Sequence, residues 1–285
     1  MILVTGAGGK SGSAVIRALV ARGERVHAFV HREALVAPMR ALGAASVSVG
    51  SLDDVEAIAR AAQGARAVYH ICPNVSPLEL AFAGAVVEGI RRSGLRRFVF
   101  HSVLHPQIEA MPHHWQKMRV EEMLFASGLD VTVLQPTAYM QNMLAAWPEI
   151  TNEGVYRVPY PADTRISLVD LADVGEAAVR VLTEPSHIGA CYELVGTPPY
   201  SQSEAADIVA AALGRPVRIE TESIEAWAAR TRAAGMGDYQ CDTLAAMFRY
   251  YARHGLTGND NTLRWLLGRE PTSLADFANG AAAQQ

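Results

Sequence analysis

Two groups of residues carry chemistry by type and spacing. The first is Gly6-Ala7-Gly8-Gly9-Lys10-Ser11-Gly12, a GxxGxxG pattern directly after the apolar run Ile2-Leu3-Val4. A glycine turn between a strand and a helix lets backbone approach a phosphate closely and aims unpaired helix N–H groups at it. Gly6, Gly8, Gly9, Lys10, Ser11 and Gly12 therefore predict a dinucleotide pyrophosphate site. A glycine turn needed only for packing is the alternative. The second group is His101, His105, His113 and His114 with Lys117. His113 stands four residues before Lys117, so the two share a helical face if the helix already begins by His113. An imidazole with an ordinary pKa of about 6.5 exchanges protons near neutrality. A surface or capping histidine competes with that reading, because Pro112 marks a helix start. The cluster lacks an i, i+4 ligand pair with a carboxylate close behind, so no metal is expected. His105 and His114 read instead as a substrate-facing polar wall.

Strand ends supply the other candidates. Val30-His31-Arg32 puts a guanidinium where a 2′-phosphate would sit. Arg32, helped by Lys10, favours NADP(H) over NAD(H), with Glu33 next door and a merely solvated arginine weighing against. Cys72-Pro73-Asn74 leaves the fourth strand at the edge where ligands of such sheets collect, so its backbone is expected to skirt the cofactor ribose. Cys72 has no neighbouring base in sequence and no catalytic thiol role is assigned to it. Pro136 and Thr137 leave the sixth strand at the same edge, toward the nicotinamide, and Tyr139 and Asn142 follow as cleft-lining residues. Met140 and Met143 read as packing at a lobe junction. Trp227, Met236, Tyr239, Phe248, Tyr250 and Tyr251 offer either an aromatic pocket for a flat substrate, with Tyr239 a contact, or ordinary helix core. Asp170 and Asp173 fit capping or first-turn roles better than acid–base work.

These residues need a scaffold, and the N-terminal half repeats one pattern of apolar run, turn and helix-period segment, the form of consecutive βαβ units. Strands are expected at residues 2–4, 25–30, 46–49, 67–71, 98–100 and 131–134. Helices are expected at 13–21, 54–61, 77–93 and 115–127, capped by Gly23, Gly64, Gly94 and Gly128. The fold class is α/β, a Rossmann-type doubly wound parallel sheet with a smaller, mostly helical C-terminal substrate lobe. Residues 1–135 plus about 165–190 make the nucleotide-binding domain, and 136–164 plus 191–285 the lobe. Tyr156-Arg157-Val158-Pro159-Tyr160-Pro161 reads as irregular, and the end from Gly280 as frayed.

Composition narrows the function classes. A chain of 285 residues with 50% hydrophobic and 19% charged residues folds with a substantial core, and a net charge of -4 without a basic stripe argues against nucleic acid. Cys72, Cys191 and Cys241 are scattered and form no CxxC pair, which suits reduced thiols in the cytoplasm. No secretory leader pattern or membrane-length apolar run is read.

Taken in order, the glycine turn, Arg32, Lys117-Met118-Arg119-Val120-Glu121-Glu122, Leu134-Gln135-Pro136-Thr137-Ala138-Tyr139, Ile166-Ser167-Leu168-Val169-Asp170 and Leu266-Leu267-Gly268-Arg269-Glu270-Pro271 make a chain that resembles the NmrA-like branch of the atypical short-chain dehydrogenase/reductase superfamily. The resemblance implies a cleft between domain and lobe, NADP(H), a small-molecule substrate and, by analogy, a homodimer through 77–93 and 115–127. It puts Lys117 at the family lysine that holds the nicotinamide ribose. His113 falls at the tyrosine of the usual Tyr-x-x-x-Lys pair, and Ser102 at the active-site serine. Members include NADPH-dependent reductases of quinones, dyes or other conjugated compounds, and regulators that bind NADP without turnover. The expected activity is hydride transfer to a quinone, enone or imine, with His113 or water completing protonation. A non-catalytic NADP(H) sensor is the alternative, and an epimerase or lyase stands further off.

Overall fold

The computed structural model describes residues 1–284. Its elements are β1 (Ile2–Val4), α1 (Lys10–Ala21), β2 (Val26–Val30), α2 (Val36–Ala41), β3 (Ser46–Val49), α3 (Val55–Ala62), β4 (Ala67–His70), α4 (Glu79–Ser93), β5 (Arg97–His101), α5 (Pro112–Phe125) and β6 (Asp130–Pro136). There follow β7 (Ala138–Tyr139), α6 (Trp147–Glu153), β8 (Val155–Val158), β9 (Arg165–Ile166), β10 (Leu168–Val169), α7 (Leu171–Thr183), β11 (Cys191–Leu194), β12 (Tyr200–Ser201), α8 (Gln202–Leu213), β13 (Arg218–Thr221), α9 (Ile224–Ala233), α10 (Asp238–His254), α11 (Asn261–Leu267) and α12 (Leu274–Ala282).

Among the described residues a seven-stranded sheet runs in the order β11-β6-β5-β4-β1-β2-β3. β1 lies parallel to both β2 and β4, with Ile2 opposite Val26 on one side and Ala67 on the other. The chain order reverses between β1 and β4, which makes their carboxyl ends a topological switch point, the place where ligands of open α/β sheets bind. On one face Leu3, Val68, Phe98, Phe100, Val131 and Val133 meet Ile58 of α3, Val86 and Ile90 of α4, and Val120 and Leu124 of α5. Strands covered on both faces read as the continuous apolar runs seen in the sequence. Helix ends are set locally: the Asp54 side chain accepts from Ala57 N at the start of α3, and Ser201 and Glu204 form a capping box on α8.

Four expectations change. α5 begins at Pro112 rather than 115, because proline is well suited to the first helical position, and this places His113 inside the helix. Residues 156–158 are not irregular but lie in β8, paired in parallel with β13. The sheet gains β11, a short edge strand whose residues alternate too weakly to announce it. α12 continues to Ala282, so the end is helical that far, and Gln285 lies outside the described residues.

The chain divides into two compact units. One comprises Met1–Gln107, His113–Gln135 and Val174–Tyr192, the other Ile108–Pro112, Pro136–Asp173 and Glu193–Gln285. The second has its own core, in which Met140, Met143, Trp147 and Ile150 pack with Ala205 and Val209 of α8 and Leu274 and Ala278 of α12. Met140 and Met143 thus belong to this unit's interior. Trp227, Met236 and Phe248 pack together between α9 and α10, the helix-core reading of the aromatic residues. Among the described residues no helix is long and apolar enough to cross a membrane.

Of the two aspartates read for capping or first-turn roles, Asp170 accepts from Ala172 N, at 2.7 Å. Asp173 lies in the first turn of α7, as expected, and carries a further bond set. Its carboxylate is fully buried and accepts from Arg269 Nη2 and from Thr272 N, both at 2.7 Å, fastening the C-terminal segment. Asp173→Ala strands the Thr272 N–H and is expected to cost about 1–3 kcal/mol, read as a lower urea midpoint; an unchanged midpoint would remove this clamp from the account.

Candidate functional site

The turn after β1 separates glycines by their reasons. Gly6 has a φ of +61°, and a Cβ on it would stand 2.5 Å from the Ile71 carbonyl oxygen; on Gly12 it would stand 2.4 Å from the Gly6 oxygen. Both positions are glycine because backbone meets backbone. A Cβ on Gly8 would meet the flexible Leu35 side chain at 2.7 Å. That contact brings the segment just past Arg32 against the turn. Gly9 differs, for its nearest neighbour would be the Gly6 oxygen at 3.4 Å, ordinary contact, and the residue is exposed. Packing within the protein does not require a glycine there, and the missing side chain leaves the backbone open to close approach of a ligand.

Gly9 is the N-cap of α1 and supplies no side-chain cap, and the first turn of α1 holds no acidic residue. The first-turn N–H groups of Lys10, Ser11 and Gly12 have no carbonyl within the helix to reach. Together with the helix dipole they make an anion site. Lys10 and Arg32 are both exposed. The residues present fit a phosphorylated dinucleotide.

Behind the turn lies a layer of buried polar side chains at the carboxyl edge of β4 and β5. Thr5 Oγ1 accepts from Ile71 N at 3.2 Å and bonds His70 Nδ1 at 2.8 Å. His70 Nε2 is buried without a partner among the described residues. Tyr69 Oη bonds His101 Nδ1 at 2.7 Å. Lys117 Nζ donates to Glu79 Oε1 at 2.8 Å and to the His101 carbonyl oxygen at 3.2 Å, and sits 5.1 Å from the centre of the Phe100 ring. Cys72 is buried beside Glu79, and burial, then the Glu79 charge, push its thiol well above the usual range. Cys72 is consequently inert as a nucleophile.

His113 is on the Lys117 face of α5, yet its chemistry differs from expectation. Burial, the His114 ring 4.5 Å away and the Lys117 charge lower its pKa to about 3, so the imidazole is neutral at pH 7. Its Nδ1 is buried without a partner among the described residues. The ring can give or accept a hydrogen bond but stores no extra proton at neutral pH.

Other expected residues are committed elsewhere. Ser102 is 2% exposed and its Oγ donates to Glu121 Oε1, so that proton is not offered to a substrate carbonyl. Gln135 Nε2 closes the same group with 3.0 Å bonds to both Glu121 oxygens, while burial raises the Glu121 pKa. His114 is 1% exposed, and its Nδ1–H donates to the His105 carbonyl at 3.2 Å. It supports the backbone at His105, whose φ of +54° is unusual for a side-chain-bearing residue, and does not face a substrate. In the second unit, Pro136 ends β6 and the Thr137 hydroxyl donates to the Ser167 carbonyl at 2.9 Å. That donor is therefore occupied rather than held ready for a nicotinamide amide. Tyr139 is half-buried in β7, and Asn142 and Tyr239 are exposed.

Sequence reasoning missed Glu79, Glu121, Gln135, Tyr69 and His70. Two had a visible signal. Glu79 is a lone charge inside the apolar run Leu78 to Ala83, and Glu121 repeats the His113–Lys117 spacing once more. Among the described residues no group of three or more His, Cys, Asp or Glu side chains is placed to hold a metal ion.

The chain matches the NmrA-like family over residues 1–279. It is 28% identical to quinone oxidoreductase 2 of Escherichia coli (strain K12), over 97% of this chain and 96% of that one. It is 27% identical to the NAD(P)H azoreductase of Xenophilus azovorans, over 99% and 98% of the two chains. The crystal structure of the NADPH-dependent quinone oxidoreductase of E. coli in complex with NADPH is similar with a TM-score of 0.85 at 27% identity, covering 99% of each chain.

The buried histidines make a pH prediction. His70, His101 and His113 have pKa values of about 3 and His114 about 4, burial being the first cause in each. The unfolded chain, with histidines near 6.5, binds more protons between those limits. The stability these groups contribute is thus complete above about pH 6.5 and is lost as pH falls toward 4, by at most about 1.4 kcal/mol per pH unit for each histidine. The raised Glu121 pKa acts in the opposite sense, but it is one group against four. The urea midpoint is expected to fall from pH 7 to pH 5; a flat or rising midpoint would contradict the neutral, buried state.

Proposed function

Because the chain belongs to the NmrA-like family, we propose that it is an NADPH-dependent oxidoreductase that reduces a small conjugated compound of the quinone, enone or imine type. Gly9 carries the reading: a glycine that the protein's own packing does not require stands at the mouth of an anion-binding helix terminus. The relatives named for NADPH-dependent and NAD(P)H-dependent reduction, alike over nearly whole chains, support it.

In this reading the first unit is the nucleotide-binding domain and the second the substrate lobe. The α1 amides, with Gly9, hold the pyrophosphate, while Lys10 and Arg32 hold the 2′-phosphate. The backbone at Cys72 and Pro73 and the Lys117 ammonium receive the nicotinamide ribose. When bound, NADPH supplies a hydride to the substrate. The chain's contribution is binding and orientation. His113, neutral at pH 7, hydrogen-bonds a substrate oxygen and leaves final protonation to water. That division suits quinones best, because the oxyanion left by their reduction is stabilised by its ring and takes its proton from solvent.

A second reading, an NADP(H)-binding sensor without turnover, is favoured by one observation. Neither His113 nor Ser102 presents a transferable proton at neutral pH.

NADPH and NADH titrations followed by nicotinamide fluorescence test the first step. NADPH is expected to bind at least tenfold more tightly than NADH, and Arg32→Ala to erase that difference by weakening NADPH alone, a change of about 1.4 kcal/mol or more. Stopped-flow mixing with quinones, enones and imines follows. Oxidation of bound NADPH supports the reductase, binding without any oxidation favours the sensor, and no binding of either nucleotide sinks both.

A further inference from the structure

We infer that Glu79 is the positioning residue for the nicotinamide end of the site, setting the place of Lys117 and so contributing to NADPH affinity without touching the cofactor. The inference rests on the proposed NADPH-binding reading and assigns a role to a residue outside its contacts.

The geometry is that of an enclosed pair. Lys117 Nζ and Glu79 Oε1 are 2.8 Å apart, with the side chains 15% and 4% exposed. Glu79 lies in the first turn of α4, Lys117 on α5, the His101 carbonyl that also accepts from Nζ at the end of β5, and Cys72, beside Glu79, just after β4. One carboxylate therefore joins the elements that leave the sheet at its carboxyl edge. These contacts hold the ammonium and fix the direction in which it points.

Charge gives the second half of the argument. Removing an ammonium from water disfavours it unless a counter-charge compensates. Near Nζ lie also the His101 carbonyl, the Phe100 ring and imidazoles that burial keeps neutral, while the Glu121 carboxylate feels the Lys117 charge from farther along α5. Glu121, one turn along α5, is engaged by Ser102 and Gln135. Glu79 is the carboxylate that holds Lys117 in place. A lysine that has swung away is a poorer donor to ribose hydroxyls.

Glu79 could alternatively be a staple between α4 and α5 with no bearing on cofactor. The two ends of the cofactor separate these roles. 2′,5′-ADP carries the 2′-phosphate and lacks the nicotinamide nucleoside, so it tests the Arg32 and Lys10 end alone. Dissociation constants for NADPH and 2′,5′-ADP are measured by calorimetry on the full chain for wild type, Glu79→Gln, Glu79→Asp, Lys117→Met and the Glu79→Gln/Lys117→Met double variant. The expected result is an NADPH constant raised about tenfold in Glu79→Gln and in Lys117→Met, no worse in the double variant than in Lys117→Met, largely restored in Glu79→Asp, and unchanged 2′,5′-ADP binding throughout. Wild-type NADPH affinity in Glu79→Gln, or equal loss of both ligands, would overturn the inference. If Glu79→Gln does not fold, Glu79→Ala, which also removes the carboxylate but leaves room for water at Nζ, is judged by the same criteria. Wild type binding neither ligand would instead refute the NADPH reading itself.

Discussion

Where β1 gives way to α1, three stretches of backbone come closer than any side chain allows. Gly6 lies against the carbonyl of Ile71, and Gly12 against Gly6. This close approach ties the start of α1 to the end of β4 at the point where strand order reverses. It fixes the direction of the unpaired first-turn N–H groups, and through Leu35 it brings the segment after Arg32 alongside. A side chain at Gly6 or Gly12 would move the helix away, and the anion site would lose its shape before any ligand contact was lost.

Behind that turn a second constraint operates, the cost of burying polar groups. The first unit meets it in two ways. The histidines near the edge of β4 and β5 give up their charge, and Lys117 is paired with Glu79. The result is one cation held at a defined place among neutral rings. That arrangement suits orientation of a cofactor better than storage of a proton. A neutral imidazole can align a substrate oxygen while water completes the proton inventory.

The sheet was legible because its signals are local. Most of the first six strands carry apolar runs, β1 to β5 are each followed by a turn and a helix, and the glycine turn sits directly after the first. β8 and β11 were not, since their pairing partners are remote in sequence or their alternation is weak. Pro112 was visible as a helix signal, but its suitability for the first helical position was underweighted, and with it the start of α5. Site residues divide along the same line. Backbone roles follow from glycine spacing. The state of His113, the commitment of Ser102 to Glu121 and the pairing of Lys117 with Glu79 depend on which side chains tertiary packing brings together. No spacing rule in a single sequence encodes burial.

The central claim, that Gly9 lacks a side chain for the sake of a ligand, is tested most directly by Gly9→Ala, with thermal unfolding and NADPH binding measured on the same sample. A Cβ at this position finds ordinary space, and the lost N-cap preference costs less than about 1 kcal/mol. The account predicts a melting temperature within a few degrees of wild type and an NADPH dissociation constant raised at least tenfold. Wild-type affinity in the folded variant would contradict it, and the turn would then be glycine-rich for packing alone.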